Sequence, residues 1–191
     1  METTRDGKKG WEKGIREVFR ESTSTSVVFV DFCESYRDSL VKFYIDVWKE
    51  PPWNEFFWTP ELVNEDINFG LSQKDFVGKL AVDIKNNEVV GFTWGYKLPL
   101  KEFPFLKDVV EEGTFYIDEL AVRADYRRRK IGTLLTNRLT EEVVKIGYEA
   151  IVLRTDVNGG AYIFYKKLGF EDLNIRDPQY PERTYMKKLL R

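Results

Sequence analysis

Hydrophobic positions along this chain change their period several times, and each change marks an element. The first 25 residues are polar, with a charged start and the run Ser22-Thr23-Ser24-Thr25-Ser26, yet Trp11, Ile15, Val18 and Phe19 fall at helical spacing within them. Two readings stand there: a short amphipathic helix packed on the domain or on the partner subunit of a homodimer, and a disordered tail. Residues 27–32 are a β-branched and aromatic run that predicts a first strand. From Ser35 the positions Leu40, Val41, Tyr44, Ile45, Val47 and Trp48 predict a helix, stopped by Pro51-Pro52. Thr59-Pro60-Glu61-Leu62 reads as an N-cap with Pro at the first helical position, opening a second helix to about Leu71. Residues 76–84 and 89–98 are strands joined by a hairpin turn at Asn86-Asn87, and 100–112 is a loop with a short helix. A strand follows at 114–122, an amphipathic helix at 131–146 closed by Gly147, a strand at 150–154, a helix at 161–168 closed by Gly169, and a last strand at 184–189. Hairpins early and crossover helices late imply a mixed sheet in a single α+β (mixed α/β) domain over 26–191, with 1–25 as an N-terminal extension.

One strand breaks its own alternation. Ile117 and Leu120 are both apolar but three apart, so a strict period of two puts them on opposite faces. A bulge at Asp118-Glu119 restores the phase for Leu120 and Val122, and bulges re-aim side chains next to active sites.

Composition narrows the chemistry. There is no histidine, which removes Ser-His and Cys-His catalysis and nearly all zinc sites, so no metal is expected. Proton transfer falls to carboxylates, Tyr, Lys or water. The single Cys33 forms no internal disulfide, there is no apolar leader, and no apolar run approaches the roughly 20 residues of a membrane helix, so a cytoplasmic protein is expected. Net charge is −2, but Arg123 to Lys130 carries a local +4. A basic spot on an acidic chain suits a small anionic ligand, not nucleic acid, which wants a broad basic face.

That spot sits where the strand ending at Val122 turns into the helix opening near Ile131. Unpaired N–H groups at a helix start bind phosphate oxygens, and Gly132 removes a side chain where a ligand would approach. The alternative is a solvated basic turn before an ordinary helix. About thirty residues on, Asn158-Gly159-Gly160-Ala161 leads into a helix carrying Tyr162, Phe164, Tyr165 and Leu168, then Gly169-Phe170-Glu171.

Together these runs resemble the GNAT acetyltransferase superfamily. The pattern Arg/Gln-x-x-Gly-x-Gly/Ala falls on Arg127, Lys130 and Gly132, with Lys130 replacing the first glycine, and the Tyr-x-x-x-Gly-Phe ending falls on Tyr165, Gly169 and Phe170. The likeness is sharp over 115–172 and only topological over 27–98. It implies a GNAT-like fold with a splayed sheet and acetyl-CoA as cosubstrate. Its pyrophosphate would be cradled by the backbone of Arg128, Arg129, Lys130, Ile131, Gly132 and Thr133 with Arg127 beside them. Its pantetheine arm would lie along the backbone of Leu120, Ala121 and Val122, with Asn158 and Ala161 touching the arm. Tyr165 would protonate the leaving thiolate, unless it is only a buried helix aromatic. Asp118 and Glu119, with a slight preference for Glu119, are candidates to deprotonate the attacking amine, unless they are solvated strand-edge carboxylates.

On the acceptor side, Trp53 and Trp58 lie in the loop after the first helix, and Trp94 and Tyr96 on the strand before the bulged one. Aromatics near carboxylates suit a cationic amine, although such clusters are more often core. The reaction expected is direct acetyl transfer to a small-molecule or peptide amine. The rival is a non-catalytic acyl-CoA-binding or sensor domain.

Overall fold

The structure, a computed structural model, describes residues 26–51 and 53–190. The helical spacing of Trp11, Ile15, Val18 and Phe19 lies outside them. Seven strands form one sheet in the order β1-β2-β3-β4-β5-β7-β6. They are β1 (Val27–Asp31), β2 (Val77–Asp83), β3 (Glu88–Lys97), β4 (Phe115–Val122), β5 (Ala150–Asp156), β6 (Glu171–Arg176) and β7 (Arg183–Leu189). The helices are α1 (Arg37–Trp48), α2 (Pro60–Ser72), α3 (Ile131–Lys145) and α4 (Gly160–Lys167). Among the described residues no helix is long and apolar enough to cross a membrane.

Local chemistry sets the helix ends. The Thr59 side chain accepts from the Leu62 N–H at 3.4 Å, with Pro60 opening α2. Gly147 adopts φ +93 just past α3, a conformation most side chains resist, and the Tyr148 N–H closes the end on the Val143 carbonyl. Helices α1 and α2 cover one sheet face over Leu80, Val89, Phe92 and Trp94. Helices α3 and α4 cover the other over Phe115, Ile117, Ile151 and Leu153.

Two expectations are corrected. Residues 171–176 form an edge strand that the sequence reading passed over. Its ladder to β7 is interrupted between Asp172 and Arg176, where Asn174 takes φ 57 and the Asp172 carboxylate accepts from the Asn174 N–H. That Asp–Asn turn hides a two-residue period. The β2–β3 turn takes four residues, Ile84–Asn87, not two. Cys33 lies just past β1 at the entry to a 3₁₀ turn, exposed.

Candidate active site

Every neighbouring pair of strands is antiparallel except β4 and β5, and that pair is short. It holds only at Phe115–Ile151, Tyr116–Val152 and Ile117–Leu153. Beyond Ile117 the two strands part and leave a wedge in the middle of the sheet.

The bulge falls at the mouth of this wedge. Trp94 pairs with Glu119 and Gly95 with Ile117, so Asp118 is the extra residue. Ile117 and Leu120 consequently share the α3–α4 face, while Asp118 and Glu119 both turn to the α1–α2 face. One extra residue thus sets two consecutive carboxylates side by side. Two contacts hold the kink: the Thr93 hydroxyl donates to the Glu119 carbonyl at 2.8 Å, and Gly95 leaves the room that the backbone needs. A Cβ at Gly95 would stand 2.1 Å from the Tyr116 carbonyl oxygen.

Protein crowds this cleft floor, although Asp118 and Glu119 each keep partial contact with solvent. Burial pushes the Asp118 carboxyl up to about 6, reinforced by the charge of Asp66 and opposed by hydrogen bonds from Trp94 and Tyr96. Burial first, then the Asp118 charge, drives Glu119 well above the usual range. The indole N–H of Trp94 donates to Asp118 at 3.4 Å. Trp94 and Tyr96 meet Asp118 but are buried in the core, and Trp58 meets Tyr44 at 4.9 Å and donates to Glu55 at 2.8 Å. Trp53 stands apart, edge-on to Trp48 and 41% exposed.

On the opposite face Tyr165 packs with Ile117 and Leu153, the last paired residues of the wedge. It is only 6% exposed, yet its hydroxyl has no hydrogen-bond partner among the described residues. The ring is buried, while the hydroxyl oxygen itself keeps contact with solvent. Burial, then the charge of Glu119, holds this phenol far above its ordinary pKa, so it keeps its proton at any working pH.

At the start of α3 the chain takes φ 62 at both Arg128 and Lys130, and no side chain caps the helix. The first helical bond runs from the Leu134 N–H to the Lys130 carbonyl, which leaves the N–H groups of Lys130, Ile131, Gly132 and Thr133 without an intrahelical acceptor. At Gly132 a Cβ would meet only ordinary contacts, Phe164 at 3.5 Å and Val122 at 3.7 Å. The fold itself does not require glycine there, so the space it leaves fits a ligand against the helix start. Arg127 is otherwise engaged. Its Nε donates to the Val122 carbonyl at 2.8 Å and its guanidinium pairs with Glu50, which makes it a strut between β4 and the end of α1. Arg128, Arg129 and Lys130 are exposed, with Arg129 lying over the Tyr126 ring. Asn158 is exposed at the turn before α4, its N–H bonded to Asp156, and Ala161 lies in the first turn of that helix.

The sequence reading missed Asp66 and Arg154. Asp66, on α2, accepts from the Tyr44 hydroxyl at 2.9 Å. Arg154, on β5 beyond the fork, pairs with the buried Asp177 at 2.8 Å, and its charge reaches Asp118 and Glu119. A carboxylate at 66 in step with Val63, Ile67 and Gly70 on the buried stripe of α2 was the available signal.

Comparison with known proteins agrees with this architecture. The model of the acetyltransferase (GNAT) family matches residues 33–170. The ribosomal protein bS18-alanine N-acetyltransferase of Escherichia coli strain K12 is 28% identical over 131 residues, 68% of this chain and 72% of that one. Two solved structures share the fold. A putative acetyltransferase from Acinetobacter baylyi aligns with TM-score 0.68 at 19% identity, over 89% of this chain and 94% of its own. The PaiA N-acetyltransferase of Thermoplasma acidophilum, in complex with coenzyme A, aligns with TM-score 0.65 at 16% identity, over 87% and 100%. Sequence, fold and family model agree: the chain belongs to the GNAT acetyltransferase family and is an acetyl-CoA-dependent acyltransferase.

Proposed function

We propose that residues 26–191 transfer acetyl from acetyl-CoA directly to a cationic primary amine, with no covalent enzyme intermediate. The observation that carries this reading is the hydroxyl of Tyr165, without a hydrogen-bond partner among the described residues, across the wedge from a carboxylate pair. Acetyl-CoA supplies the acyl group and leaves as its thiol. The backbone N–H groups from Arg128 to Thr133 hold the pyrophosphate, and the wedge edge of β4 at Leu120–Val122 aligns the arm, with Asn158 and Ala161 beside it. The C–N bond forms as the C–S bond breaks. One ammonium proton passes to Asp118 or Glu119, the Tyr165 phenol gives its proton to the sulfur, and the second proton lost from nitrogen restores the phenol. Trp58, the partly exposed indole of this ring cluster, and the carboxylates themselves favour a positively charged acceptor.

The E. coli relative is named for an alanine of ribosomal protein bS18, so an alanine-initiated hexapeptide belongs in the first panel, with spermidine and an aminoglycoside. Release of CoA thiol identifies the acceptor. With it, Tyr165→Phe is expected to lower kcat about 10²-fold, the low end for a general acid because a thiolate leaves readily. Calorimetric CoA binding should stay intact. Unchanged turnover would remove Tyr165 from the chemistry, and wild type that binds CoA but acetylates nothing in the panel would favour the binding module.

Lys130 tests the cradle differently. Its φ of 62 costs a side-chain-bearing residue about 1 kcal/mol, which glycine avoids. Lys130→Gly should therefore raise the unfolding free energy by up to about 1 kcal/mol in urea melts. CoA affinity should change less than about tenfold, because added room and a lost cation oppose each other. A hundredfold loss would make the Lys130 ammonium a principal phosphate ligand.

A further inference from the structure

Asp66 does more than its hydrogen bond requires. Tyr44 is 1% exposed and its hydroxyl needs an acceptor, which Asp66 provides at 2.9 Å. Asparagine would serve that bond without placing a third charge near two carboxylates, so the bond alone does not explain an aspartate. The surroundings suggest what the charge is for. The Tyr44 ring stacks on Trp94 at 5.9 Å with only 9° between planes. The Trp94 indole N–H in turn donates to Asp118. One helical turn beyond Asp66, the position of a Cβ on Gly70 is 3.8 Å from the same indole nitrogen, so α2 lies against the donor itself. Asp66 and Asp118 therefore each hold one ring of a stacked pair.

We propose that Asp66 is a positioning residue for acetyl transfer: through Tyr44 and Trp94 it fixes Asp118 in place, and its negative charge strengthens the proton-accepting role of the Asp118–Glu119 pair. This deepens the proposed reaction and rests on it. The groups facing the pair are Tyr44 from α1, Asp66 from α2, Glu55 from the loop between them, Trp94 and Tyr96 from β3, Tyr116 from β4, Arg154 from β5 and Tyr165 from α4. Of these only Arg154 is cationic, and Asp177 already pairs with it. The charge of Asp66 pushes both carboxyls up, in the same sense as their burial.

The sign follows directly. Removing a neighbouring negative charge favours the ionised carboxylate, so in Asp66→Asn the Asp118 midpoint must fall. Full-length protein labelled with ¹³C at the aspartate carboxyls, with Asp118→Asn to assign the resonance, reads this without any acceptor. We expect the wild-type midpoint near 6 to drop by about one unit, tenfold in the ionisation constant, and Asp66→Glu to restore most of it. The acid limb of kcat/KM for the alanine-initiated hexapeptide or spermidine should move to lower pH by the same amount. An unmoved Asp118 midpoint in folded Asp66→Asn overturns the proposal, because a purely structural Asp66 would leave it where it was. A shifted midpoint in a protein whose wild type acetylates neither probe would keep the carboxylate assembly and sink the transfer reading instead.

Discussion

Replacing Gly132 with aspartate is expected to abolish stabilisation by coenzyme A while leaving the free protein as stable as before. Glycine there sits in ordinary helical backbone with room for a Cβ against Phe164 and Val122, so the fold accepts a side chain. A carboxylate in the first turn even suits the helix dipole, by about 0.3–1 kcal/mol. For a pyrophosphate it does the reverse, filling the approach to the free N–H groups with a like charge. Coenzyme A at 100 times its dissociation constant should add about 2.7 kcal/mol to the wild type, roughly 5–10 °C in Tm for a chain of this size. In Gly132→Asp the shift should vanish and calorimetry should show affinity at least about a hundredfold weaker, near 2.7 kcal/mol. A wild type unmoved by coenzyme A, or a Gly132→Asp variant that still responds, would place the phosphates elsewhere.

Gly95→Ala should fail in the opposite way, through the fold. Its Cβ would lie 2.1 Å from the Tyr116 carbonyl oxygen and 2.6 Å from the Phe115 ring, and neither backbone nor a core ring can move aside cheaply. β3 and β4 must separate at the bulge or lose it. We expect a loss of about 3 kcal/mol in urea unfolding, at the upper end for an overpacked core, and turnover reduced beyond what the residual folded fraction explains. If Gly95→Ala were as stable and active as wild type, the bulge would not depend on that glycine.

These two glycines mark how far the sequence could be read. The bulge announced itself because Ile117 and Leu120 break the period of two, and the cofactor loop because cations crowd a strand-to-helix turn. Gly95 offered a weaker signal, since glycine inside a strand often marks a close approach of backbone. The role of Arg127 was beyond reach. Sequence spacing shows a cation near Gly132 but not that Glu50, far back in the chain, pairs with it. Asp66 reads as one polar residue among several on α2 until the helix is docked on Trp94. Residues brought together by tertiary packing leave only a charged residue in an apolar stripe to betray them.

The ring cluster above the carboxylates gives the molecule an optical asymmetry. Trp53, Trp48, Tyr44, Trp58 and Trp94 form a continuous chain of contacts between 4.9 and 5.9 Å that takes in every tryptophan among the described residues. Two of its indoles donate to carboxylates, Trp94 to Asp118 and Trp58 to Glu55. Excitation of any member can migrate along the rings to these two, whose emission responds to the charge they touch. From β4 onward the chain contains no tryptophan, and among the described residues none lies in α3 or the turn before it. Tryptophan light from the described residues therefore reports the Asp118–Glu119 side of the wedge.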